Sequence, residues 1–144
     1  MFYGEYIHNL DTKDRFVLPS KFRTVAGKHK LKTFFLTRGL DKCLFLFPEP
    51  EWKKLEENFR NLPFTKSESR AFNRLFFSGA VAVEFDSLGR ALLPQYLKDF
   101  ARIQREIVIA GISNRIEIWG KEVWEEYYRI HQDKFETIAQ DLIV

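Results

Sequence analysis

Short runs in which hydrophobic and polar residues alternate punctuate this chain, and each run ends in a turn signal or a proline. In "GAVAVEFD", Val81, Val83 and Phe85 alternate with Ala80, Ala82 and Glu84, the period-two pattern of a half-buried strand. Tyr6, His8 and Leu10 repeat that face near the N-terminus, so His8 stands at a valine position and is predicted to be a packed histidine, not a metal ligand. The segments "RFVLP" and "RALLP" read as return strands leading to short helices opened by Pro19 and Pro94, where a missing N–H costs nothing. "TRGLDKCLFLF" and "AGISNRIEIW" read as hairpins turned at Gly39 and Gly111 with the Asp41 and Asn114 regions. Their inward faces are Leu44 with Leu46, and Ile116 with Ile118. "EPEWKKLEENF" and "KEVWEEYYRIH" have the apolar spacing of amphipathic helices. A connecting helix is predicted within "RNLPFTKSESRAFNRLFFSG", capped by Thr65 or Ser67 and carrying Arg70 and Arg74 on one face. The tail "DKFETIAQDLIV" reads as a short helix or a disordered end.

The order of these elements repeats because the chain does. An offset of 75 residues pairs Gly4 with Gly79, Asp11 with Asp86, Arg15 with Arg90, Leu18 with Leu93 and Pro19 with Pro94. Farther on, an offset of 72 pairs Gly39 with Gly111, Leu44 with Ile116, Leu46 with Ile118, Phe47 with Trp119 and Trp52 with Trp124. Preserved order with one change of offset indicates a duplicated supersecondary unit. Each copy has too little apolar surface for a core of its own, so the two are predicted to share one. Phe45 matches Glu117 in the repeat, which puts an apolar ring on what reads as a wet strand face and suggests a subunit contact.

Composition narrows the function classes. Residues 1–75 carry 15 Lys/Arg against 9 Asp/Glu, whereas residues 76–144 carry 8 against 11, so the basic first half is the better face for a polyanion. The single Cys43 excludes an intramolecular disulfide and reads as a small buried hydrophobe. "MFYGEYIHNLD" carries an acid early and does not read as a signal peptide, and no apolar run reaches membrane-spanning length. No phosphate loop, Cys/His cluster or nucleophile elbow is present, so neither catalysis nor a metal or cofactor is expected.

The candidate chemistry lies in the two turns "DTKDR" and "DSLGR". Asp11 and Asp86 can accept backbone N–H groups ahead of them, and Arg15 and Arg90, four residues on, are close enough for an ion pair across the turn. Gly89 permits positive φ, and Asp14 at the matching place belongs to the residues that tolerate it. One reading is a hairpin staple alone. The other adds presentation of Arg15, Arg90 and Lys13 on a ridge that engages phosphates or guanine edges, with Lys21 and Arg23 beside it on the following helix.

Together, "MFYGEYIHNLD", the two Asp-x-x-x-Arg turns each followed by Leu-Pro, "RAFNRLF" and "EIW" resemble the MraZ family of bacterial transcriptional regulators. The resemblance implies a mainly β fold with short helices (α+β): a duplicated AbrB-like double-swapped-hairpin β-barrel, a connecting helix and a helical C-terminus. It implies repeat units at 5–50 and 81–122, connecting helices at 51–80 and a C-terminal helix and tail at 123–144. It further implies a ring-like homo-oligomer, cytoplasmic and nucleoid-associated, that binds double-stranded DNA at short direct repeats upstream of the division and cell wall gene cluster, including its own promoter. Asp11 and Arg15 match the family's first motif, with Lys13 at its usual basic position, and Asp86 and Arg90 match the second. This chain departs from the pattern at Asp14, where the family commonly has glycine, and at Leu88, which leaves the second turn without a basic neighbour, so the first copy is expected to dominate DNA contact. The competing expectation is an antitoxin-like or scaffold protein-interaction module without specific DNA binding, and salt-dependent binding to promoter DNA separates the two.

Overall fold

The computed structural model describes residues 1–143. The first repeat forms β1 (Phe2–Asn9), β2 (Arg15–Val17), α1 (Ser20–Lys28), β3 (Thr33–Arg38) and β4 (Leu44–Pro48), then α2 (Glu49–Arg60) and α3 (Ser67–Ser78). The second forms β5 (Val81–Glu84), β6 (Arg90–Leu92), α4 (Gln95–Phe100), β7 (Glu106–Ser113), β8 (Arg115–Gly120) and α5 (Lys121–His131). A 3-10 turn at Gln132–Lys134 leads into α6 (Phe135–Ile143), so the tail is helical over the described residues. Among the described residues, no helix is long and apolar enough to cross a membrane.

Pairing interleaves the copies. β1 pairs antiparallel with β7 of the other repeat, β5 pairs with β3, and β2 with β6. The hairpins β3–β4 and β7–β8 meet along β4–β8, giving the sheet order β1-β7-β8-β4-β3-β5 and a separate two-stranded ribbon, β2-β6. The fold is therefore mixed α+β with an open antiparallel sheet, and the expected closed barrel does not form as one continuous hydrogen-bonded ring among the described residues. The reason is local: β2 and β6 span three residues each, and each follows the preceding strand, β1 or β5, through the tight Asp turn and pairs with the other instead of extending the six-stranded ladder.

Strand alternation divides the interior in two. Phe34, Leu36, Leu44, Leu46, Ile107, Ile109, Ile116 and Ile118 face a core closed by Phe16 and Leu18 of the ribbon, Phe22 of α1 and Leu97 of α4. The opposite face carries Phe35, Phe47, Val108 and Trp119 under α2, α3 and α5. That second face is not wet. Glu117 is buried, accepting hydrogen bonds from Arg115 Nη2 at 2.8 Å and Trp119 Nε1 at 3.0 Å, while the Arg115 guanidinium lies 4.8 Å from the centre of the Phe45 ring. Phe45 is half-buried by these contacts and by Phe47, so the wet face proposed for it from the repeat is corrected: three helices pack there.

Three local expectations shift. Pro19 and Pro94 stand immediately before their helices and supply the carbonyls that Arg23 and Lys98 N–H groups reach at 3.0 and 3.1 Å. α3 begins at Ser67 with no side-chain cap from Thr65 or Ser67; its first turn is closed by the backbone bond from Arg70 N–H to Lys66 O at 3.2 Å, and Arg70 Nη1 reaches Phe64 O at 3.0 Å. Gly111 lies inside β7 opposite Gly4, not in the hairpin turn, because a Cβ there would sit 2.5 Å from the backbone of Phe2 and Tyr3. The turn itself is Ser113-Asn114, with Ser113 at positive φ. His8 is half-buried on β1, in line with its packed reading.

Candidate functional site

The two Asp turns have the same wiring. Asp11 Oδ1 accepts the N–H groups of Lys13 and Arg15, both at 2.9 Å, and Asp11 Oδ2 accepts Arg15 Nε at 2.7 Å. Asp86 Oδ1 accepts Leu88 and Arg90 N–H at 2.9 and 2.8 Å, and Oδ2 accepts Arg90 Nε at 2.8 Å. Each turn is closed by two further backbone bonds: Asp14 N–H to Asp11 O with Asp11 N–H to Arg15 O, and Gly89 N–H to Asp86 O with Asp86 N–H to Arg90 O. The residue before each arginine takes positive φ, 57° at Asp14 and 76° at Gly89, which is why an Asp and a Gly are found there.

A carboxylate holding three N–H donors ionises readily. The Arg15 backbone N–H, with help from its guanidinium and from Lys13 N–H, lowers the Asp11 pKa to about 2 against an opposing desolvation cost. Asp86 is lowered by the same set, led by Arg90 N–H. Each Asp binds only Nε of its arginine, and among the described residues the Nη groups of Arg15 and Arg90 make no hydrogen bond within the chain.

The ribbon brings these turns together. Phe16 pairs with Ala91, Arg15 with Leu92 and Val17 with Arg90, and Leu18 N–H to Gly89 O and Leu93 N–H to Asp14 O, each 2.8 Å, extend the pairing to the turns themselves. The helix after each ribbon strand then crosses to the other repeat's turn. Arg23 of α1 lies over Gly89, where a Cβ would come 2.7 Å from its Cδ. Lys98 of α4 reaches Asp14, Nζ to Oδ1 2.8 Å, with its side chain 11% exposed. Basic and acidic sequence halves thus do not form separate spatial halves, because each turn is flanked by a cation from the other repeat.

Of the residues singled out from sequence, Asp11, Lys13, Arg15, Asp86, Gly89, Arg90 and Arg23 come together on the ribbon and its flanks. Lys13 is exposed at the tip of the first turn, and Lys21 is exposed at the start of α1. Lys98 was missed. Its signal was available, since the 75-residue offset that defines the repeat pairs Arg23 with Lys98.

Two stapled turns on a ribbon shared between duplicated units define a paired-turn module of mixed α+β architecture. The family model described as "MraZ protein, putative antitoxin-like" matches residues 1–75 and again residues 76–144. The chain belongs to the MraZ family, and the twofold match coincides with the internal repeat. That membership supports a regulator-type role and not an enzymatic one.

Proposed function

We propose that this protein is a DNA-binding transcriptional regulator whose paired Asp-x-x-x-Arg turns contact double-stranded DNA. The observation that carries the reading is the β2–β6 ribbon, which joins two turns whose arginines are oriented through Nε and keep their Nη groups unpaired. Planar guanidinium donors suit phosphate oxygens and guanine edges. Arg15, Arg90, Lys13, Lys21 and Arg23 form the DNA-contacting set, and Asp11, Asp86 and Gly89 hold the turns. By its resemblance to the family, the protein binds short direct repeats upstream of the division and cell wall gene cluster and in its own promoter, as a ring-like homo-oligomer associated with the nucleoid in the cytoplasm.

The exchange of first strands between the repeats supports a swapped-hairpin description of the units at 5–50 and 81–122, with 51–80 as connecting helices and 123–144 as C-terminal helix and tail. Purified protein titrated onto its own upstream DNA, with scrambled DNA as competitor, tests the reading. Arg15→Ala should weaken specific binding by about 1 to 3 kcal/mol per contacting subunit, and equal affinity for wild type and variant refutes the site.

A second reading, an antitoxin-like protein-interaction module, is favoured by the family description and by α6, whose Phe135, Leu142 and Ile143 are 71%, 78% and 83% exposed. Absence of any salt-dependent DNA binding would favour it.

A further inference from the structure

We propose that Lys98 is a positioning residue that neutralises Asp14 at the first turn, and that the two turns consequently meet DNA with different charge patterns, which gives a pseudo-symmetric module a direction. This rests on the DNA-binding reading above. An acid beside Arg15 on a DNA-facing turn would repel phosphate unless compensated. The compensation is present: Lys98 Nζ lies 2.8 Å from Asp14 Oδ1, and its nearly buried side chain is committed to that carboxylate. At the second turn the same position is Gly89, which offers no carboxylate to the cation that crosses to it, Arg23. Among the described residues Arg23 forms no ion pair, and it is exposed.

The asymmetry has consequences for recognition. At the first turn the available cation is Lys13 at the tip, with Lys98 withdrawn into its pair; at the second the tip is the apolar Leu88, and the available cation is Arg23 on the flank. Two identical turns related by a pseudo-twofold would bind a site equally well in either orientation. Cations placed differently relative to each turn remove that equivalence, so the module can tell one orientation on a duplex from the other.

Duplex binding by wild type, Lys98→Met, Asp14→Gly and the double variant, at fixed salt and well below each melting temperature, tests the proposal. Lys98→Met leaves Asp14 uncompensated and should weaken binding about fivefold to tenfold, and Asp14→Gly in that background should restore it. Lys98→Arg should bind like wild type. If Lys98→Met binds normally, or if the double variant binds no better than Lys98→Met, the proposal is overturned; the second outcome would make Lys98 a direct phosphate contact. Wild-type protein that binds no DNA overturns the functional reading and this inference together, whereas wild-type binding with an unrescued Lys98→Met overturns this inference alone.

Discussion

Raising salt should weaken DNA binding by an amount that can be worked from the exposed cations. Around the ribbon, Lys13, Lys21 and Arg23 are exposed and form no ion pair among the described residues, whereas Arg15, Arg90 and Lys98 are bonded to Asp11, Asp86 and Asp14. Three phosphate contacts from the free set would release condensed counterions with a log–log slope of about −2.7 per subunit on B-form DNA. A fourfold rise, from about 50 to 200 mM, then costs roughly 40-fold in affinity for each engaged subunit, and several subunits bound together steepen the slope in proportion. Lys13→Ala should bring the slope to about −1.8, with the same loss on operator and non-operator DNA, because a lysine on a phosphate positions without reading sequence. Arg23→Ala should do the same, although it flanks the other turn. Fluorescence anisotropy of a labelled duplex across a salt series measures all of these. Lys66, exposed just before α3, the helix whose Phe76 packs on the opposite face of the sheet, is the control. If Lys66→Ala flattens the slope as much as Lys13→Ala, or Lys13→Ala leaves it unchanged, DNA has been placed on the wrong face.

Other outcomes follow from the same geometry. The folded-state pKa of Asp11 is depressed below its ordinary 3.8, so its stabilising contribution is present above that value and is lost as pH falls through about 2; carbon NMR of the carboxylates should find its midpoint there, and a midpoint near 3.8 would mean the staple is open in solution. Trp52 is stacked between Phe35 and Phe76, ring centres at 5.0 and 5.6 Å, while its repeat counterpart Trp124 is only half-buried. Trp52→Ala should therefore cost about 3 to 5 kcal/mol, roughly 10 to 15 °C in a melting scan, and Trp124→Ala clearly less; equal losses would contradict the packing. Burial, reinforced by the negative charges of Glu117 and Asp41, pushes the Cys43 thiol well above the ordinary range, so a thiol reagent should react only after unfolding, and rapid labelling of native protein would exclude this environment.

Local pattern carried much of the fold, and the repeat carried the site. Period-two alternation identified the strands and both inward faces, since burial on one side leaves that trace in sequence. It could not tell which strand pairs with which, because β1 fits its own hairpin as well as β7 until Gly111 is recognised as the place where two backbones nearly touch. Glu117 read as solvent-facing for a similar reason. A charge on a strand looks wet until Arg115 and Trp119, two residues to either side, are found bonded to it. The staples were legible from Asp-x-x-x-Arg spacing, as both partners lie within one turn. Lys98 and Asp14 are 84 residues apart, and only the crossing of helices between repeats brings them together.

Strand exchange within one covalent chain also changes what substitution can achieve. Were each repeat a separate polypeptide assembling as a homodimer, any new residue would appear twice, and an acid at one turn would demand a compensating lysine on both copies at once. Joining the two copies end to end lifts that restriction. Asp14 with Lys98 and Gly89 with Arg23 are two different solutions to one packing problem, held side by side on a three-residue ribbon. The duplication thus gives the molecule two independently adjustable turns with the rigidity of a single core.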